Sequence, residues 1–301
     1  TASSRQSSWW GSDVRRLVLI SALLALLVAA APAVAAIDYR TTYECDPTDS
    51  NYTACAEINN EIQTWSAPGK LVKQQPLVVA AAEQTNGTFV VQRSIAAGGR
   101  GAALSGFRVG ADAAVIYSFR QTTGAQNFQA LIGFRLSTGE WPEGCIISSY
   151  LDCTMGPQLE WGRDSKHEYT VTSRPFEVRI LNGMAQDLKR VDGPYWSNAL
   201  WNPAIDSAAR IAAGGAGSVG SLRSVVKDSA YAAVYKFQRS ETDPRFNGDS
   251  VLITVRANED GTHVGKCTPV FAPSGARFTC GVAFSGSGTG HLTATVRVQT
   301  T

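Results

Sequence analysis

Hydrophobic and polar positions divide the chain into three regimes. Leu17–Ala36 is an unbroken apolar run, interrupted only by the hydroxyl of Ser21 and the ring of Pro32. As an α-helix it would be about 30 Å long, the depth of a bilayer's hydrocarbon core. Beyond it, Cys55, Ile58, Ile62 and Trp65 recur at helical spacing, and Ala67-Pro68-Gly69 closes the run. That pattern predicts a short helix over 54–65. From Leu71 onward the period drops to two. Val115, Tyr117 and Phe119 share one face, as do Ala130, Ile132, Phe134 and Leu136. Later Val251, Ile253 and Val255 alternate, Asp260-Gly261 marks a hairpin, and Leu292, Ala294, Val296 and Val298 alternate again. No sustained helical period follows residue 70, so this part reads as all-β.

The strand-rich part also repeats itself. Ile95-Ala96-Ala97-Gly98-Gly99-Arg100-Gly101 returns as Ile211-Ala212-Ala213-Gly214-Gly215-Ala216-Gly217. In the same order Ser105, Val109 and Asp112 fall on Ser221, Val225 and Asp228, and Ala114–Phe119 falls on Ala232–Phe237. Arg135 then matches Arg256, Cys145 matches Cys267, Cys153 matches Cys280, and His167 matches His291. An internal duplication predicts two tandem β-sandwich-like domains, with a boundary near Ser173-Arg174-Pro175. The expected organisation is a tail over 1–16, an anchor helix over 17–36 and a connector over 37–70. The sandwiches follow over 71–174 and 175–301. Copy two carries Leu181–Ser207 as an insertion that copy one lacks.

The flanks of the apolar run bear on where the protein resides. Arg15-Arg16 before it and Val34-Ala35-Ala36 after it are also marks of a cleavable export signal. The chain opens at Thr1 yet keeps the run, so the expectation is a retained transmembrane anchor. Arg5, Arg15 and Arg16 outnumber Arg40, which keeps the short tail on the synthesising side and exports the rest. Arg15-Arg16-Leu17-Val18-Leu19 resembles the twin-arginine export signal, but Val14 replaces its Ser or Thr and no Lys follows. The expected compartment is oxidising and non-cytosolic: periplasm, cell exterior or, in a photosynthetic host, the thylakoid lumen. Trp9-Trp10 suit the headgroup region as contacts for lipid or for neighbouring subunits.

Composition narrows the chemistry. Charged residues make up 17% of the chain and the net charge is +2, with no basic stripe along the sequence that would suit nucleic acid. The six cysteines lie in three close pairs, Cys45/Cys55, Cys145/Cys153 and Cys267/Cys280, which read as disulfides closing small loops. Metal ligation would need closer spacing and nearby histidines. No cofactor or metal is expected.

Candidate sites are few. Tyr195, Trp196 and Trp201 in the 181–207 segment are residue types enriched at interfaces, and aromatic rings also stack on sugars. The tryptophans could equally fold back over the edge of the second sandwich. Glu140-Trp141-Pro142-Glu143 offers paired carboxylates, and Asp243–Asp249 offers oxygen ligands without EF-hand spacing. Both read more simply as polar turns. The Gly-rich phrases lack the lysine and helix context of phosphate loops. Asn51-Tyr52-Thr53 and Asn86-Gly87-Thr88 are N-glycosylation acceptor patterns. The leading expectation is a non-enzymatic, single-span accessory subunit of a larger membrane assembly. A carbohydrate-binding or adhesion module is the first alternative, and an extracytoplasmic hydrolase the second.

Overall fold

The computed structural model describes residues 37–46, 54–73, 75–84, 88–106, 112–121, 128–137, 146–147, 149–156, 159–161, 164–202, 205–239, 241, 244–272, 278–286 and 290–301. Leu17–Ala36, Trp9, Trp10, Asn51, Asn86, Cys145 and Glu140–Glu143 lie outside them. Among the described residues no helix is long and apolar enough to cross a membrane.

The described chain is nearly all β. Its first half runs β1 (Ile37–Arg40), β2 (Ala54–Asn60), β3 (Thr64–Ala67), β4 (Lys70–Val72), β5 (Leu77–Gln84), β6 (Thr88–Gln92) and β7 (Ser94–Ile95). It continues through β8 (Arg100–Gly106), β9 (Asp112–Gln121), β10 (Phe128–Ser137), β11 (Ile146–Ile147), β12 (Leu151–Met155), β13 (Leu159–Trp161) and β14 (Asp164–Ser173). The second half starts at once with β15 (Pro175–Gly183), β16 (Leu188–Ser197), β17 (Ala199–Asn202), β18 (Arg210–Ile211) and β19 (Ala216–Arg223). It ends with β20 (Ser229–Phe237), β21 (Ser250–Ala257), β22 (His263–Phe271), β23 (Phe278–Gly286) and β24 (Leu292–Thr300).

Each half folds into a front and a back sheet. The front sheets run β1-β6-β8-β2-β14-β12, with β13 also on β14, and β17-β19-β15-β24-β23. The back sheets run β7-β5-β9-β10-β11 and β18-β16-β20-β21-β22. In both front sheets the first long strand lies antiparallel to one neighbour and parallel to the last long strand. Inward residues of both sheets form one core per half. Ile58, Phe89 and Val171 meet Leu77, Val115 and Phe119, and Val178, Val219 and Val296 meet Leu188, Tyr235 and Ile253. The alternating apolar positions of the sequence are these inward faces.

Residues 54–65 are not helical. Ala56, Ile58, Asn60, Ile62 and Thr64 are buried while Glu57, Asn59, Glu61 and Gln63 are half-exposed, which is strand alternation. A spacing of four, as between Ile58 and Ile62, satisfies both periods. The pairing of β2 with β8 on one side and β14 on the other decides between them. What reads as a connector is the middle of the first front sheet.

Strand register also relocates the insertion. From Asn60 to Leu77 the first half builds the β3–β4 hairpin, whereas Asn182 passes almost directly to Leu188. The 181–207 segment holds β16 and β17, which take the places of β5 and β6. The extra element therefore belongs to the first half.

That hairpin joins the halves. Trp65, 2% exposed, donates its indole N–H to the Ser221 carbonyl at 3.2 Å. The fully buried Asn202 donates its amide to the Trp65 carbonyl at 3.0 Å. Gly69 N–H meets the buried Glu177 carboxylate at 3.1 Å, and the indole stands edge-on to His291 with centroids 4.9 Å apart. A Cβ on Gly220 would come within 2.8 Å of the Trp65 ring, so only glycine admits this approach. Leu200 and Leu222 of the second half complete the first core.

Two disulfides are described. Cys45–Cys55 has a Cα separation of 6.0 Å, and Cys267–Cys280 one of 5.7 Å. The latter links β22 in the back sheet to β23 in the front sheet. Cys153, opposite Val171 as Cys280 is opposite Val298, is also disulfide-bonded. Such bonds persist in oxidising, non-cytosolic compartments.

Candidate functional site

The aromatic segment of β16 separates into an inward and an outward residue. Two register shifts against β20, between Arg190 and Asp192 and between Asp192 and Tyr195, reset the alternation there. Trp196 faces inward, edge-on to Phe176 at 5.7 Å and tilted on Tyr231 at 5.0 Å. Its indole N–H is buried, which makes it a packing residue rather than a platform. Trp201 is half-buried on β17, opposite Ser221. Tyr195 alone of the three stands out, with 60% of its surface exposed. Its hydroxyl donates to the Asp192 carboxylate, whose hydrogen bond and charge push the phenol's pKa up.

Tyr195 stands on the outer face of the second back sheet, where register sets out successive rows. One row is Arg210–Lys189–Lys236, cations on three adjacent strands. The next reads Asp192–Val234–Leu252–Thr268, then Tyr195–Ala232–Thr254–Lys266, then Ser197–Ala230–Arg256–Val264. Neighbouring strands are about 4.8 Å apart, so the three backbone positions of the first row span about 10 Å. Arg210 is paired with Asp187 at 2.8 Å. Lys189 and Lys236 lie exposed and directly opposite each other, with Asp192 one row away held by Tyr195. Like charges set opposite each other on a sheet are destabilising. Ala230, Ala232 and Val234 are half-buried beneath these longer side chains and form a low floor.

Linear spacing hid this face, because residues 189, 210 and 236 become neighbours only through strand pairing. Sequence order had also suggested that His167 and His291 correspond. Register puts His167 opposite Ala56 and Ala294 opposite Val178, so Ala294 is the counterpart of His167. Likewise Arg135 corresponds to Thr254, not Arg256. The Gly-rich phrases are turns. Gly98 and Gly214 hold φ of 67° and 68°, and a Cβ on Gly101 or Gly217 would press on Ile95 or Ile211 at 2.5 and 2.9 Å. In the 243–249 segment, Pro244–Phe246 forms a short 3-10 turn, with Phe246 buried against Phe237 and Phe278. Among the described residues no group of His, Cys, Asp and Glu is placed to hold a metal ion. Compared with known protein families and with curated proteins, the chain matches none.

Proposed function

We propose that this chain is a non-enzymatic binding protein of an oxidising compartment, held at a membrane through residues 17–36 and acting as an accessory subunit of a larger membrane assembly. Its two halves are taken as copies of one ancestral sandwich. The observation that carries the reading is the Trp65 joint. A tryptophan only 2% exposed, clasped by side chains and backbone of the other half, makes the two sandwiches one stiff body. Such a body suits holding neighbours at a fixed spacing. Native mass spectrometry of the full chain after gentle extraction tests it. Co-migrating membrane proteins are expected, and a free monomer would overturn the subunit reading.

A second reading, an adhesion module for carbohydrate at the cell surface, is favoured by the exposure of Tyr195 beside Asp192. An aromatic face with an acceptor at its edge is suited to stacking a sugar ring while accepting its hydroxyls.

A further inference from the structure

We infer that the outer face of the second back sheet binds an acidic polysaccharide, with Lys189, Lys236 and Arg210 taking its anionic groups and Tyr195 stacking on a sugar ring. This deepens the carbohydrate reading and is independent of whether the chain serves as a membrane subunit.

The two sandwiches supply an internal control. Lys189 pairs with Arg210 and Lys236, and its counterpart Val78 pairs in the same way with Ser94 and Ser118. Arg256, opposite Ala230, has Ser137, opposite Asp112, as its counterpart. One scaffold thus closes without any of these cations, so their presence in the second copy is not a requirement of the fold. Placing Lys189 against Lys236 costs stability in the unliganded protein. An anion bridging the two ammonium groups reverses that cost.

The shape of the face selects the ligand's class. Its centre is polar and low: Ala230, Ala232 and Val234 are half-buried while Lys189, Lys236 and Tyr195 are exposed, and the exposed aliphatic Val264 stands at the far edge, on β22. A lipid surface calls for protruding apolar side chains at the centre of the face, where Lys189, Lys236 and Tyr195 stand instead. Ala232, the neighbour of Tyr195, is four residues along β20 from Lys236, about 13 Å. A stretch of several sugar units bridges that span, lying flat across the floor. Lys266 and Arg256 extend the positive edge on β22 and β21.

The test uses the full chain in detergent, titrated with oligogalacturonate and with dextran sulfate. Methyl-esterified oligogalacturonate supplies sugar without charge, and polyglutamate supplies charge without sugar. The expected result is tighter binding of one acidic polysaccharide than of either control. The K189V/K236S variant, which installs the residues of the first copy, should weaken it about tenfold or more with an unchanged melting temperature. Y195A should weaken it by about threefold to tenfold while leaving polyglutamate binding unchanged. Failure to bind either acidic polysaccharide, or equal binding by K189V/K236S, would overturn the proposal. So would polyglutamate or phosphatidylserine vesicles binding as tightly as the polysaccharide. None of these outcomes bears on co-migration with membrane proteins, so the two readings fail separately.

Discussion

Asn60 and Asn182 carry out the same task in the two sandwiches. Each is buried at the end of the first long front strand, and each spreads one amide over three carbonyls. Asn60 donates to Gln75, Ile95 and Ala96 at 2.8, 3.4 and 3.2 Å. Asn182 donates to Gln186, Ile211 and Ala212 at 2.8, 3.3 and 2.9 Å. Each side-chain oxygen then accepts the N–H two residues on, from Ile62 or Met184. The repeated Ile-Ala-Ala-Gly-Gly phrase is the turn these asparagines fasten to the front sheet.

Asn60→Ala and Asn182→Ala should each cost about 2–3 kcal/mol, since buried carbonyls lose their donor. Urea unfolding of the full chain measures it. A loss below about 1 kcal/mol in either variant would show that water replaces the amide and that the asparagine is dispensable.

Trp65→Ala should destabilise the chain by about 3–5 kcal/mol, through lost packing and the cavity left behind. It should also free the halves to move, seen as a broader particle in small-angle scattering. A variant that keeps the wild-type scattering profile would mean that the halves are held by other contacts.

Acid should weaken the fold before the carboxylates titrate. Burial lowers the pKa of His167 and His291 below the ordinary 6.5, with Glu177 partly opposing it at His291. Below 6.5 the unfolded chain takes up more protons than the folded one, so this stability is intact above that value and lost as pH falls. The melting temperature should drop between about pH 7 and pH 5, and H167Q/H291Q should flatten the slope. An equal slope in that double variant would assign the effect to other groups.

Replacing Cys267 and Cys280 by serine should cost about 3 kcal/mol, as expected for a loop of that length. Because the bond ties the back-sheet edge to the front-sheet edge, hydrogen exchange should speed up selectively in β22 and β23. Uniform change across the chain would instead indicate a purely global effect.

The strand regions were legible because alternation at Val115–Phe119 or Val251–Val255 is imposed by a two-sided sheet with one wet face. The helix expected at 54–65 failed because Ile58 and Ile62 fit both periods, and the partners that choose between them, β8 and β14, come much later in the chain. The repeated glycine phrase and the match of Cys153 to Cys280 survived because each is pinned by a turn or a strand edge. The histidine and arginine matches slipped because strand pairing, which spacing along the chain does not reveal, sets the register of His167 and Arg135. The cross-half partners of Trp65 were invisible, since Ser221, Asn202 and His291 are distant in sequence. The Lys189–Lys236 row was invisible for the same reason.

The arrangement of the first core has a consequence for biogenesis. Leu200 and Leu222 fill part of it, and the seat for Trp65 is made by Asn202, Gly220 and Ser221. A chain emerging N-terminus first therefore exposes an unfinished interior until residue 222 appears. At about 5–20 residues per second of synthesis, the wait lasts many seconds. During that interval the leading half is open to chaperones and proteases, and its maturation is timed by the arrival of the trailing half.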